Sequence, residues 1–124
     1  MKRLFSILII GFMLMFIQSA QAFQPEEWMV VSSVQTDSAS IATVPGFLYS
    51  IWIQTDGTNA VTLSVYDNTE EAGTAVIASW VIPTSASNRN TTVSFNPPIP
   101  YNTGLYIVGA SAGTYSYYVF MRRQ

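Results

Sequence analysis

The sequence contains no cysteine and no histidine, and only 10% of its 124 residues are charged. Without cysteine there is no disulfide, no thiolate nucleophile and no cysteine-based zinc or iron–sulfur site. Without histidine there is no Ser-His-Asp triad and no imidazole base or metal ligand. The five Lys and Arg, against seven Asp and Glu, are too few to form a nucleic-acid-binding surface. These absences favour a non-enzymatic protein that needs neither a cofactor nor a metal.

The first 22 residues have the three parts of a secretory signal. Lys2 and Arg3 precede an apolar run over residues 4–17, and Ala20-Gln21-Ala22 follows as an A-x-A cleavage motif. An uncleaved membrane anchor is the alternative, but a run of about 14 apolar residues is short for a spanning helix. We therefore expect residues 1–22 to be removed after Ala22 and the protein to be exported to the periplasm, the cell surface or the medium.

Removal of 22 of the 124 residues leaves 102, with three arginines, seven acids and no lysine. The resulting charge of −4 argues against attraction to anionic lipid or nucleic-acid phosphate. Strands that alternate apolar and polar residues have one polar face and are not membrane-spanning, so we expect no stable membrane insertion after leader removal. Residues 23–27 are interpreted as an N-terminal arm and residues 28–124 as one domain. A domain of this size without disulfides has a limited core, which favours further burial against a partner.

Segments of alternating apolar and polar residues recur in this domain, separated by Gly, Pro, Asn and Asp. Pro97, Pro98 and Pro100 lack ladder donors, so residues 96–100 are expected to form a rigid extended crossing rather than a central strand. The set predicts an all-β fold, a single antiparallel β-sandwich or jelly-roll-like domain of about eight short strands. The expected strands cover residues 28–34, 41–44, 47–55, 61–66, 75–82, 91–95, 105–110 and 115–122.

The turn signal Asp56-Gly57-Thr58-Asn59 lies between two of these strands, which predicts a β-hairpin over residues 47–67. Alternation in its first strand places Phe47, Tyr49, Ile51 and Ile53 on one face. The other face is then expected to carry Leu48, Ser50, Trp52 and Gln54.

The acidic residues give little support for a reactive site. Asp56 and Asn59 lie at one end of the predicted strand 61–66, and Asp67, Glu70 and Glu71 follow its other end. The loop over residues 67–71 has the oxygen ligands for Ca²⁺, but a solvated turn is the expectation that we favour. Glu70 and Glu71 are adjacent and are not expected to face one cleft as a glycosidase pair.

Aromatic residues dominate the last strand. Alternation places Tyr115 and Tyr117 on one face, and Tyr118 and Phe120 on the other face with Ser116. Large side chains on both faces require cover from the fold or from another chain, and tyrosine is favoured where a ring is buried but its hydroxyl stays wet. The four aromatic residues Tyr115, Tyr117, Tyr118 and Phe120 are therefore a candidate interface.

Several turn and strand-end motifs resemble those of small all-β proteins encoded in tailed-phage and prophage genomes near head and tail genes. The similar segments are Gly46-Phe47-Leu48-Tyr49, Val61 to Asn68, Gly73-Thr74, Phe95-Asn96-Pro97 and Gly104-Leu105-Tyr106-Ile107. The resemblance extends from Pro45 to Val119 and implies a structural role without catalytic residues. The secretory leader is a departure, because virion parts assemble in the cytoplasm.

These observations predict a non-enzymatic exported module that self-associates as a homo-oligomer or decorates a larger protein assembly, phage-virion-like or at the cell surface. The alternative is a secreted β-sandwich module that binds a carbohydrate or a receptor, in which a glycan is the partner.

Overall fold

The computed structural model describes residues 29–124, and every regular element in this range is a β-strand. The predicted signal peptide at 1–22, the arm at 23–27 and Trp28 lie outside the described residues. The eight strands are β1 (Val30–Val31), β2 (Ala39–Ala42), β3 (Gly46–Thr55), β4 (Val61–Tyr66), β5 (Ala75–Ile82), β6 (Asn90–Tyr101), β7 (Leu105–Ser111) and β8 (Tyr115–Arg123). The all-β prediction with about eight strands is confirmed.

The strands form two four-stranded antiparallel sheets. The first sheet has the order β1-β8-β3-β6 and the second has the order β2-β7-β4-β5. Of the strands described, only β4 and β5 pair with their neighbour in the chain within one sheet, and the other connections pass from one sheet to the other. Inward side chains from both sheets meet in one apolar core between the layers. Its residues are Ala42, Leu48, Ile51, Ile53, Val61, Leu63, Val65, Ile82, Tyr101, Leu105, Ile107, Tyr117, Val119 and Met121.

The predicted hairpin over residues 47–67 is wrong, because β3 and β4 belong to different sheets. β3 pairs with β6 and β8, whereas β4 pairs with β5 and β7. The turn after β3 is held by Asp56, whose Oδ1 accepts the N–H groups of Thr58 and Asn59, both at 2.8 Å. This turn carries the chain across the core instead of back along the same sheet.

The predicted faces of β3 are also corrected. The register shifts between Leu48 and Ser50 against both β6 and β8, which marks a β-bulge. Because of this bulge Leu48 lies in the core with Ile51 and Ile53, whereas Phe47 and Tyr49 stay partly exposed.

The proline segment continues a strand at the edge of the first sheet. β6 runs through Pro97, Pro98 and Pro100 and pairs only with β3, with a register shift between Ser94 and Ile99. An edge position tolerates prolines because their missing N–H groups face no second neighbour. The strand is thus longer than the predicted 91–95, and the prediction of a crossing at residues 96–100 is wrong, because these residues continue the edge strand. The segment is nevertheless not a central strand, in agreement with its prolines.

Candidate functional site

The two faces of β8 have different environments. Tyr117 is 0% exposed and lies in the core with Val119 and Met121, while Tyr118 and Phe120 are partly exposed on the outer face of the first sheet. The alternation predicted for this strand is therefore confirmed, with Tyr118 on the outer face. The burial of Tyr117 narrows the candidate interface on β8 to the outward pair, Tyr118 and Phe120.

Tyr115 and Tyr117 close one end of the core. Their rings stack with centroids 6.3 Å apart, and a Cβ added at Gly109 would lie 2.8 Å from the Tyr115 ring. The Tyr117 hydroxyl donates to the carbonyl oxygen of Asp37 at 2.9 Å, which attaches the β1–β2 connection to the first sheet. Burial, followed by the neighbouring Tyr115, Tyr106 and Asp37, raises the pKa of Tyr117 well above its ordinary value.

Four outward side chains of the first sheet form an apolar cluster, which we call the aromatic face: Val31, Trp52, Tyr118 and Phe120. The Trp52 and Tyr118 rings stack at 4.8 Å with an interplanar angle of 21°, and Tyr118 meets Phe120 edge to face at 5.3 Å. Strand register explains the cluster, since Tyr118 pairs with Trp52 across β8 and β3, and Val31 pairs with Phe120 across β1 and β8. Val31 is 49% exposed.

Sequence reasoning found Tyr118 and Phe120 but did not connect them to Trp52. Trp52 lies on β3, 66 residues before Tyr118 in the chain, and the hairpin prediction paired β3 with β4 instead of β8. The alternation along β3 is the signal that could have identified Trp52, because it places Trp52 on the face opposite to Ile51.

A second feature is a polar cleft of about 310 Å³ at the end of the molecule where β3 ends and β8 begins. Its walls come from three separate segments of the chain: Gln54, Thr55 and Asp56; Arg89; and Thr114, Tyr115 and Ser116. Hydrogen bonds from the backbone and side-chain N–H groups of Asn59, and then from the Thr58 N–H, lower the pKa of Asp56 to about 2. The cleft thus combines a carboxylate that is ionised at neutral pH with a guanidinium.

Asp67 has a structural role in the loop that was considered for Ca²⁺. Its carboxylate accepts the N–H groups of Asn102 and Thr103 at distances of 2.7–2.9 Å and so joins the β4–β5 loop to the β6–β7 turn. Desolvation raises its pKa, but the N–H groups of Thr103, Asn102 and Gly104 outweigh this effect and lower it. Within residues 29–124 no group of three or more Asp, Glu, His or Cys is placed to hold a metal ion.

Comparison with protein-family models and with curated proteins finds no match. No helix within the described range is long and apolar enough to cross a bilayer.

Proposed function

We propose that this protein is a non-enzymatic, exported structural module that self-associates through the aromatic face or uses it to attach to a larger assembly. The observation that carries the proposal is the contact of Trp52, Tyr118 and Phe120 on the outer face of the first sheet, where each side chain is partly exposed. A sheet face without a covering layer normally carries polar side chains, so an aromatic cluster there favours a protein partner. Tryptophan and tyrosine are also among the side chains most enriched at interface hot spots.

The sheet edges favour association through a face. β6, one edge of the first sheet, contains three prolines, and these leave gaps in its row of N–H donors. β5, one edge of the second sheet, has an irregular register against β4 and a positive φ of 48° at Ser79. Prolines and bulges both oppose the addition of a further strand. The aromatic face is the better surface for a second copy.

The fold supports a structural role. Strand orders of β1-β8-β3-β6 and β2-β7-β4-β5 are consistent with a jelly roll, an eight-stranded arrangement of two Greek keys that occurs in viral capsid and lectin domains. We therefore propose further that the domain is a jelly roll with a structural role like that of the small phage proteins that the sequence resembles. Unlike those proteins, it would act after export from the cytoplasm.

The size of the face sets the strength that we expect. The three long strands β3, β6 and β8, which are 10, 12 and 9 residues long, give the whole outer surface of the first sheet roughly 500 Å² on each copy at a strand spacing of about 4.8 Å. Two such faces bury roughly 1,000 Å², which is near the lower limit for specific protein interfaces. We therefore expect weak to moderate association that requires micromolar or higher protein concentrations.

Size-exclusion chromatography with light scattering tests the proposal on protein starting at Phe23. The wild type is expected to form oligomers at high micromolar concentration, and Tyr118→Ser to remain folded but become monomeric. Tyr106→Ser is the matched control, because Tyr106 is a partly exposed tyrosine on the outer face of the second sheet. A wild type that is monomeric at high micromolar concentration, or equal losses in both variants, would contradict association through the aromatic face.

A further inference from the structure

The polar cleft adjoins one end of the aromatic face and has a rigid frame. Gln54 lies two residues after Trp52 on β3, and Ser116 lies two residues before Tyr118 on β8, on the same outer face. The Asp56 Oδ2 accepts the Asn59 Nδ2 at 2.7 Å, in addition to the two backbone N–H groups on Oδ1. Gly113 packs so closely against Asp56 and Asn59 that a Cβ there would overlap both side chains. The β3–β4 turn and the β7–β8 turn, which both cross between the sheets, therefore fix the position of the carboxylate before any ligand arrives.

The opposite wall is also held in place. Thr55 Oγ1 lies 2.6 Å from Thr84 Oγ1, and the Thr55 N–H donates to the Arg89 carbonyl oxygen at 2.8 Å. The Arg89 side chain lies over Gly57, where an added Cβ would come within 2.9 Å of its Nε. The backbone that carries the guanidinium is thus attached to the end of β3, beside Asp56.

We propose that this cleft binds a neutral sugar. Adjacent hydroxyls of a sugar ring both donate and accept. Asp56 offers the remaining acceptor capacity of its Oδ2, and Arg89 offers a donor fork, on one cleft. Gln54, Thr114 and Ser116 add further polar groups that suit hydroxyls. The volume of about 310 Å³ is at the small end of ligand sites, which suits a single ring.

The charges of the lining select against other small ligands. A phosphate or carboxylate that approached Arg89 would also meet the Asp56 carboxylate, and an amine that approached Asp56 would meet the guanidinium. An apolar ligand would leave the polar lining without hydrogen bonds. A neutral ligand rich in hydroxyls avoids all three costs.

Two-dimensional ¹H–¹⁵N NMR with a panel of neutral methyl glycosides tests the site. We expect at least one glycoside to shift the amide signals of Thr114, Tyr115 and Ser116 in a saturable manner. Arg89→Ala should weaken this binding about tenfold or more, as expected for the loss of hydrogen bonds from a charged group. Arg122→Ala is the matched control, since Arg122 lies at the other end of β8, and it should leave the affinity unchanged.

If circular dichroism shows that Arg89→Ala is unfolded, the glycoside affinity is measured for Gln54→Ala instead. This variant removes an exposed side-chain amide from the cleft and should also weaken glycoside binding. Three results would overturn the proposal: no glycoside in the panel shifts these amides, only anionic sugars do so, or the shifts fall on Trp52 and Tyr118 instead. None of these results bears on self-association, which is measured without any glycan.

Discussion

At the scale of single residues, Gly57 makes the turn after β3 feasible. Its φ of +83° lies in the left-handed region, and its missing side chain leaves room for Arg89. Gly57→Val should cost about 1 kcal/mol or more of unfolding free energy, because a β-branched residue is strained at this φ. Chemical denaturation of both proteins measures the difference.

The control for this substitution is Gly73→Val. Gly73 also has a positive φ of 78°, but no atom lies within 4 Å of a Cβ built there. The same backbone strain without the collision should cost less than Gly57→Val. If wild type and Gly57→Val were equally stable, the turn could change its conformation at no cost in free energy, and the prediction would be wrong.

Asp56 should make the stability depend on acid pH. Hydrogen bonds lower its pKa from 3.8 to about 2, so the folded chain holds its carboxylate ionised at a pH where the unfolded chain binds a proton. The resulting stabilisation is complete above about pH 4 and is lost as the pH falls toward 2. Thermal melting between these values should show a steeper decline for the wild type than for Asp56→Asn. Parallel profiles would contradict this role.

At the scale of the strand, the buried tyrosines Tyr101 on β6 and Tyr117 on β8 allow a comparison of the hydrogen bonds made by their hydroxyls. The Tyr117 hydroxyl donates to a backbone carbonyl at 2.9 Å, whereas the Tyr101 hydroxyl donates to the Met121 sulfur, at 3.6 Å. Tyr117→Phe leaves the Asp37 carbonyl without this donor and should cost about 1 kcal/mol. Tyr101→Phe should cost less, because sulfur is a weak acceptor. Urea titrations of both variants test this order.

The sequence predicts the bounds of β3, β4, β5, β7 and β8 to within one residue but misplaces those of β1, β2 and β6, and it predicts strand partners poorly. Alternation identifies the inward side chains of β4 and β8, because a two-layered fold buries one face of each strand. It does not tell which sheet a strand joins, since inward faces of both sheets are equally apolar. This is why residues 47–67 were predicted as a hairpin. A bulge such as that near Ser50 also reverses the faces without any turn residue to announce it.

The same limit applies to the candidate site. The outward position of Tyr118 follows from local alternation, but its contact with Trp52 depends on the pairing of β8 with β3. The cleft was not predicted at all, because its three wall segments are distant in the chain and meet only through the crossing of strands between sheets.

At the scale of the whole molecule, we expect stability without any metal. The Asp67 carboxylate, the first ligand considered for Ca²⁺, is already satisfied by the β6–β7 turn. EDTA should therefore leave the melting temperature unchanged in a thermal shift assay, and added Ca²⁺ should not raise it. A decrease of several degrees that Ca²⁺ restores would instead identify a binding loop at residues 67–71.

The described chain starts and finishes at the same end of the two-layered fold. Val30 pairs with Met121, and the Gln124 N–H donates to the Pro45 carbonyl oxygen at 3.0 Å. The cleft lies at the opposite end, where Thr55 pairs with Tyr115, a distance of roughly nine residues or 30 Å along β3. If the protein is attached to a solid surface through a tether at Gln124, the cleft therefore lies at the end away from that surface. A fluorescent protein fused at Gln124 would likewise lie at the end opposite to the cleft.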